Sequence, residues 1–297
     1  MTVRAVRGMP AAEVEVSVGL VRRLVAEQHP DLAGLPVEVL ANGWDNLVCR
    51  LGDEYLVRLP RRALGAELAA HEQRWLPELA ARLPLPVPAP VRTGRPTEQY
   101  PWSWSIVPYF PGRTAAEQEP GTCPAAAAQL GHFLAALHFP APSDAPVNPH
   151  RGIPLAGRAE GVVSGLAHLA DAADRRAALR VWESATASPV WDGPPLWLHG
   201  DLHPANILID GERISAVIDF GDLTSGDPAV DLSVAWMLFP AEQRADLRRA
   251  YGRADDAMWE RAHGWALALA VAFLTHSADN PLMNGIGERA FRAVLAP

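Results

Sequence analysis

The chain has 297 residues, a formal net charge of −8, 49% hydrophobic and 20% charged residues, which describes one large or two modest globular domains of ordinary composition. An acidic balance with no arginine-rich tract excludes a nucleic-acid binder, and two cysteines, Cys49 and Cys123, exclude a disulfide framework or a cysteine metal site. Arg4 and Arg7 are followed by no apolar stretch, and the longest apolar run, 265–274, is too short for a bilayer, so neither a signal peptide nor a membrane span is expected and a cytoplasmic protein is.

In chain order, Ser17 caps a first helix whose stripe is Leu20, Val21, Leu24 and Val25, and Pro30 ends it. Alternation then predicts strands over 37–41, 47–51 and 55–59, joined by turns at 42–46 and 52–54. On the third strand Leu56 and Arg58 share a face opposite Val57. A helix over 64–81 follows, with Pro77 expected to kink it or end its first part. Pro84, Pro86, Pro88 and Pro90 force an extended connector, and 102–110 reads as a strand running into a turn. After Gly112 the pattern turns helical. Helices are expected over 124–138 and 155–187, the latter interrupted near Asp171. Further helices are expected over 241–251, 255–274 and 288–295.

The stretch 199–231, HGDLHPANILIDGERISAVIDFGDLTSGDPAVD, carries the chemistry. Ile207 to Ile209 form a short strand, Asp210-Gly211 a tight turn, and 214–218 the return. A hairpin brings its open ends together, so Asn206 comes near Asp219, with Asp201 on the loop just before. One neutral oxygen ligand and one carboxylate suit Mg²⁺ carrying nucleotide phosphates. A second carboxylate held off the metal can orient or deprotonate a hydroxyl. An alternative is a metal-dependent hydrolase, because His199, Asp201 and His203 alternate and would share one face of an extended strand. Gly200 and Pro204 oppose a regular strand there, and that reading leaves Asn206 and Asp219 unused.

HGDLHPAN followed by IDFGD resembles the catalytic and metal-binding loops of the aminoglycoside phosphotransferase-like kinases, small-molecule kinases that share the protein-kinase fold. The resemblance implies an α+β, two-lobed fold. Residues 1–112 would form a small antiparallel-sheet lobe that binds nucleotide and ends in a hinge, and 113–297 a larger, mainly helical lobe with the catalytic loop, metal site and acceptor pocket. It implies Asp201 as the catalytic aspartate, Asn206 and Asp219 as Mg²⁺ ligands, and Asp231 of GDPAVD as a brace for the catalytic loop. His199 and His203 are expected to hold the loop backbone by hydrogen bonds. Arg58 stands where the fold places a phosphate-binding lysine, and Glu72 where its glutamate partner would be. The chain contains no lysine at all, so arginine follows its composition. Gly43, Asn46, Val48 and Leu56 would line the nucleotide, with the backbone of Pro108 and Phe110 at the hinge. Arg61 and Arg62 read as a solvated turn.

The implied reaction moves the γ-phosphoryl of ATP or GTP to a hydroxyl of a small molecule, an antibiotic such as an aminoglycoside or macrolide first of all. A kinase of a small metabolite (amino alcohol or sugar) and a non-catalytic nucleotide-binding pseudokinase are the other readings.

Overall fold

The computed structural model describes residues 11–119, 121–169 and 171–296; the expectation on Arg4 and Arg7 lies outside them. The chain is α+β and divides into two compact units, Met1–Ala81 with Val87–Phe110, and Arg82–Pro86 with Pro111–Pro297. Among the described residues no helix is long and apolar enough to cross a membrane.

In the first unit, helix α1 (Val18–Gln28) starts where Ser17 Oγ accepts from Leu20 N at 3.2 Å. Strands β1 (Val37–Asn42), β2 (Asn46–Leu51), β3 (Tyr55–Pro60), β4 (Arg92–Gly94) and β5 (Trp104–Pro108) make an antiparallel sheet in the order β1-β2-β3-β5-β4. Leu47, Cys49, Leu51, Val57 and Leu59 point into one core with Leu20, Val21, Leu24 and Val25 of α1. Each such side chain contributes roughly 1.5–3 kcal/mol by leaving water. Burial also pushes the Cys49 thiol up to about 11, as suits a core residue. The opposite, half-buried face carries Val48 directly across from Arg58, with Leu56 one step along.

Helix α2 (Ala63–Ala80) runs unbroken through Pro77, so the stop that was one of the two expected outcomes does not occur. Pro77 falls in the last turn, so little helix depends on its missing N–H, and the buried Leu76 and Leu79 hold the turn to the core. Strand β4 was not expected, because the prolines before it obscured a short pairing on Ser105 and Trp104.

The second unit contains strands β6 (Arg113–Thr114), β7 (Leu196–Leu198), β8 (Ile207–Asp210), β9 (Arg213–Val217) and β10 (Thr224–Gly226). Its helices are α3 (Pro124–Leu137), α4 (Ala159–Leu169), α5 (Ala172–Ala187), α6 (Ala229–Leu232), α7 (Val234–Leu238), α8 (Ala241–Tyr251), α9 (Asp256–His276) and α10 (Pro281–Leu295). Helix α9 is the hub, with α4, α5, α6 and α10 packed on it, while α3 packs on α8. Asp171 caps α5 by accepting from Ala173 N at 2.7 Å and Asp174 N at 2.9 Å, which explains the break expected there. Helix α10 begins seven residues earlier than expected, at Pro281 behind an Asn280 cap. Gly285 and Gly287 dilute its helical signal, since glycine costs about 1 kcal/mol in a helix, and packing against α9 overrides that cost.

Candidate active site

The β8–β9 hairpin turns at Gly211 (φ 60°) and pairs Ile207 with Val217 at its open end. One step further, Ile218 N donates to Asn206 O at 2.9 Å, so Asn206 and Asp219 flank the same end of the hairpin. Asn206 is buried, and its Nδ2 donates to the backbone carbonyl of Asp201 at 3.0 Å. That bond ties the catalytic-loop candidate to the hairpin and leaves Oδ1 as the amide atom available for ligation. Asp219 is exposed at φ 62°, the only non-glycine residue with a positive φ among the described residues. Such a conformation costs about 1–2 kcal/mol and points to a side chain aimed for a purpose. Phe220 beside it is fully buried, its ring 4.5 Å from that of His199, and fixes the turn.

Asp231 braces the loop from beneath, as expected. Fully buried, it accepts from His199 N at 2.7 Å and Gly200 N at 2.9 Å, and contacts His138 Nε2 at 3.1 Å. Burial would raise its pKa, but the His138 hydrogen bond and charge, with His199 and the Gly200 amide, outweigh that and hold it below the ordinary value. His138 in turn meets the Tyr251 hydroxyl at 3.0 Å, linking α3 and α8 to the loop. Nothing in the spacing of α3 revealed that role. Gly200 is obligatory: at φ 84°, a Cβ there would sit 2.2 Å from Asp222 O.

Asp201 is partly open, its side chain 26% exposed, with Arg151 Nη2 at 3.2 Å and His203 Nε2 at 3.4 Å. Desolvation pushes its carboxyl up, yet the charge and hydrogen bond of His203, with Arg151 and His199, dominate and hold it well below the ordinary 3.8. A depressed native pKa stabilises the fold above the unfolded value and loses that contribution as pH falls through the native one. The stability difference between the wild type and Asp201→Asn should therefore be full at pH 6 and shrink below about pH 4, in denaturant titrations across pH. His199 plays the expected backbone role, with Nε2 at 3.0 Å from Ile218 O. His203 does not. Its Nε2 faces the Asp201 carboxylate and its ring stands edge-on to Phe273, because the Pro204 turn directs it inward.

In the first unit, Arg58 and Glu72 form a bidentate pair, Nη1 to Oε2 and Nη2 to Oε1, the latter at 3.1 Å. Their side chains are 12% and 4% exposed, so breaking the pair leaves a buried charge. Glu72→Ala should cost about 3–5 kcal/mol in denaturant unfolding. Gly43 N donates to Asn46 O at 2.9 Å, closing the β1–β2 turn. Val48 and Leu56 lie on the Arg58 face, and Pro108 and Phe110 at the end of β5, away from that turn. Arg61 and Arg62 are not a solvated turn. Arg61 Nη1 donates to Gly43 O at 2.8 Å and Arg62 Nη2 to Asp45 Oδ1 at 2.7 Å, stapling the β1–β2 loop to the start of α2. Only the folded chain brings these partners, 17 and 18 residues apart, into contact.

The model of the phosphotransferase enzyme family (APH) matches residues 36–265. The chain belongs to that family. Family membership covers both units and the loops just described, and the family is one of kinase-type enzymes acting on hydroxyl groups. Among solved structures, the chain is similar to the GDP and kanamycin complex of APH(2")-IIia, at 20% identity, TM-score 0.68, covering 91% of this chain and 95% of that one. It is also similar to macrolide 2'-phosphotransferase MphH from Brachybacterium faecium, at 24% identity, TM-score 0.63, covering 94% and 98%. At these identities the likeness establishes the protein-kinase-like fold. An uncharacterized protein, YcbJ of Bacillus subtilis (strain 168), is 33% identical over 72 residues; the match spans 24% of this chain and 24% of that relative's length.

Among the described residues no three His, Cys, Asp or Glu side chains gather to hold a metal ion. His199 is spent on backbone groups, so the three-ligand hydrolase site of His199, Asp201 and His203 does not form. Asn206 and Asp219 fit a different demand, since Mg²⁺ brought in on phosphates takes only one or two protein ligands. Asp222, which the motif contains but spacing did not single out, lies within reach of the charges of both Asp201 and Asp219. Burial first, then the charges of Asp201 and Asp219, raise its pKa. A divalent cation would relieve that crowding.

Proposed function

We propose that this family member transfers the γ-phosphoryl group of ATP or GTP to a hydroxyl of a small molecule. The observation that carries the reading is the junction at Asn206: its side chain holds the Asp201 carbonyl while its own carbonyl holds Ile218, the residue before Asp219. On this reading Asp201 orients the acceptor hydroxyl and takes its proton, and its depressed pKa keeps it ionised for that task. Asn206 and Asp219 would hold Mg²⁺, which supplies charge neutralisation to the phosphates when bound. Arg58, held by Glu72 through both terminal nitrogens, would set its positive charge against the phosphate oxygens. Gly43, Asn46, Val48 and Leu56 would bound the nucleotide, and the Pro108 carbonyl and Phe110 N–H would address its base.

The formed Arg58–Glu72 pair favours an active enzyme over a pseudokinase, because it stands where an active kinase pairs a strand lysine with a helix glutamate. A nucleoside triphosphate donor also suits the expected cytoplasmic setting. Antibiotic acceptors rest on the fold neighbours, which include aminoglycoside and macrolide phosphotransferases. The test is a mass-resolved screen with ATP and GTP against aminoglycosides, macrolides and hydroxylated metabolites. A gain of one phosphate requiring Mg²⁺ is expected. Nucleotide binding with no transfer to any acceptor would favour the pseudokinase instead.

A further inference from the structure

Arg151 has no place in the reaction described so far, yet its Nη2 lies 3.2 Å from Asp201 Oδ1. His203 approaches the other oxygen, Oδ2, at 3.4 Å, but from within the catalytic loop itself. Arg151 comes from a separate loop, 50 residues upstream. Its second terminal nitrogen, Nη1, is a long 3.5 Å from the His150 carbonyl, so the carboxylate is the stronger of its two holds. Its Nε is shielded from water and unbonded. An unsatisfied buried donor costs stability, so the fold alone gains little from an arginine in this place.

The loop that carries Arg151 is fixed to the strand pair that leads to Asp201. Asn148 N donates to Thr224 Oγ1 at 2.8 Å and Asn148 Nδ2 to Asp222 Oδ1 at 2.6 Å, while His150 N folds back on Asn148 Oδ1 at 2.8 Å. Just past Arg151, Asp227 N donates to Gly152 O at 2.9 Å. The two backbones touch there, since a Cβ on Gly226 would sit 2.1 Å from that same oxygen. Thr224 and Gly226 belong to β10, which pairs with β7, and β7 runs directly into His199, Gly200 and Asp201. Arginine and aspartate therefore meet from two fixed points on one platform.

A carboxylate on a short side chain still turns about two bonds. Gripped at Oδ1 by Arg151 and at Oδ2 by His203, this one is held in a single orientation, with lone pairs left for a further donor. Catalytic groups need placing to within about 0.5 Å, which takes neighbours that are themselves locked. We propose that Arg151 is a positioning residue for the transfer: it holds Asp201 Oδ1 so that the carboxylate meets the acceptor hydroxyl in one orientation. This rests on the reading that Asp201 takes the hydroxyl proton.

Nucleotide hydrolysis, with water standing in for the acceptor hydroxyl, tests the proposal without an identified acceptor. With Mg²⁺ and ATP or GTP, Arg151→Gln should lower kcat roughly 10–100-fold, while KM for the nucleotide stays within about twofold of wild type. Arg151→Lys keeps the charge and should recover part of the rate. Guanidinium ion added to Arg151→Ala should do the same, where sodium chloride at equal ionic strength does not. In the Asp201→Asn background Arg151→Gln should cause no further loss, because a residue that works through another adds nothing once that other is gone. An unchanged kcat in Arg151→Gln, or a full second loss in the double variant, overturns the proposal. Independently of turnover, a crystal structure of Arg151→Gln should show the Asp201 carboxylate rotated or split between orientations, and an unmoved carboxylate overturns it. A crippled Asp201→Asn beside a normal Arg151→Gln removes this proposal alone. Normal turnover in Asp201→Asn removes the base reading, and the positioning role with it.

Discussion

Asp201→Asn should reduce phosphoryl transfer by roughly 10²–10⁴-fold, the range for removing a general base, while nucleotide affinity stays within about twofold of wild type. Asparagine keeps the shape of the side chain and an oxygen for Arg151 and His203, so the loop has no reason to collapse. The Asn206 bond goes to the backbone carbonyl of residue 201 and survives the change. Single-turnover rates and nucleotide titration separate the two effects. Near-normal turnover in this variant would refute the role given to Asp201.

Asp219→Asn should lose Mg²⁺-dependent nucleotide affinity by roughly 100-fold, with Mg²⁺-independent binding largely kept. Asparagine is the better substitution here because, like aspartate, it tolerates the left-handed backbone found at φ 62°. Asp219→Ala adds backbone strain to the loss of a ligand and should be less stable as well as weaker. Titrations with and without Mg²⁺ read the effect. Affinity that ignores the metal in the wild type, or that Asp219→Asn leaves unchanged, counts against the metal assignment.

Much of this arrangement was readable from local pattern. The β1–β3 meander alternates residue by residue, and its inward set, Leu47, Cys49, Leu51, Val57 and Leu59, is the set alternation selects. The hairpin around Gly211 announces itself through Asp210-Gly211 between two apolar runs, and its closure places Asn206 beside Asp219. What stayed hidden depends on partners distant in sequence. Arg151 is a single arginine in a proline-rich loop until Thr224, Asp222 and Asp227 pin that loop 74 to 76 residues away. His138 reads as one more helix histidine until Asp231, 93 residues on, meets it in the core. The early start of α10 and the passage of α2 through Pro77 both reflect tertiary packing prevailing over local propensity.

The Arg58–Glu72 pair has a chemical corollary. A lysine in this place would offer acylating reagents an amine beside the triphosphate, and neither this strand nor any other part of the sequence offers one. So long as a guanidinium grips the donor, such probes should pass this enzyme by, and reagents directed at guanidines, such as dicarbonyls, become the ones that nucleotide can protect against.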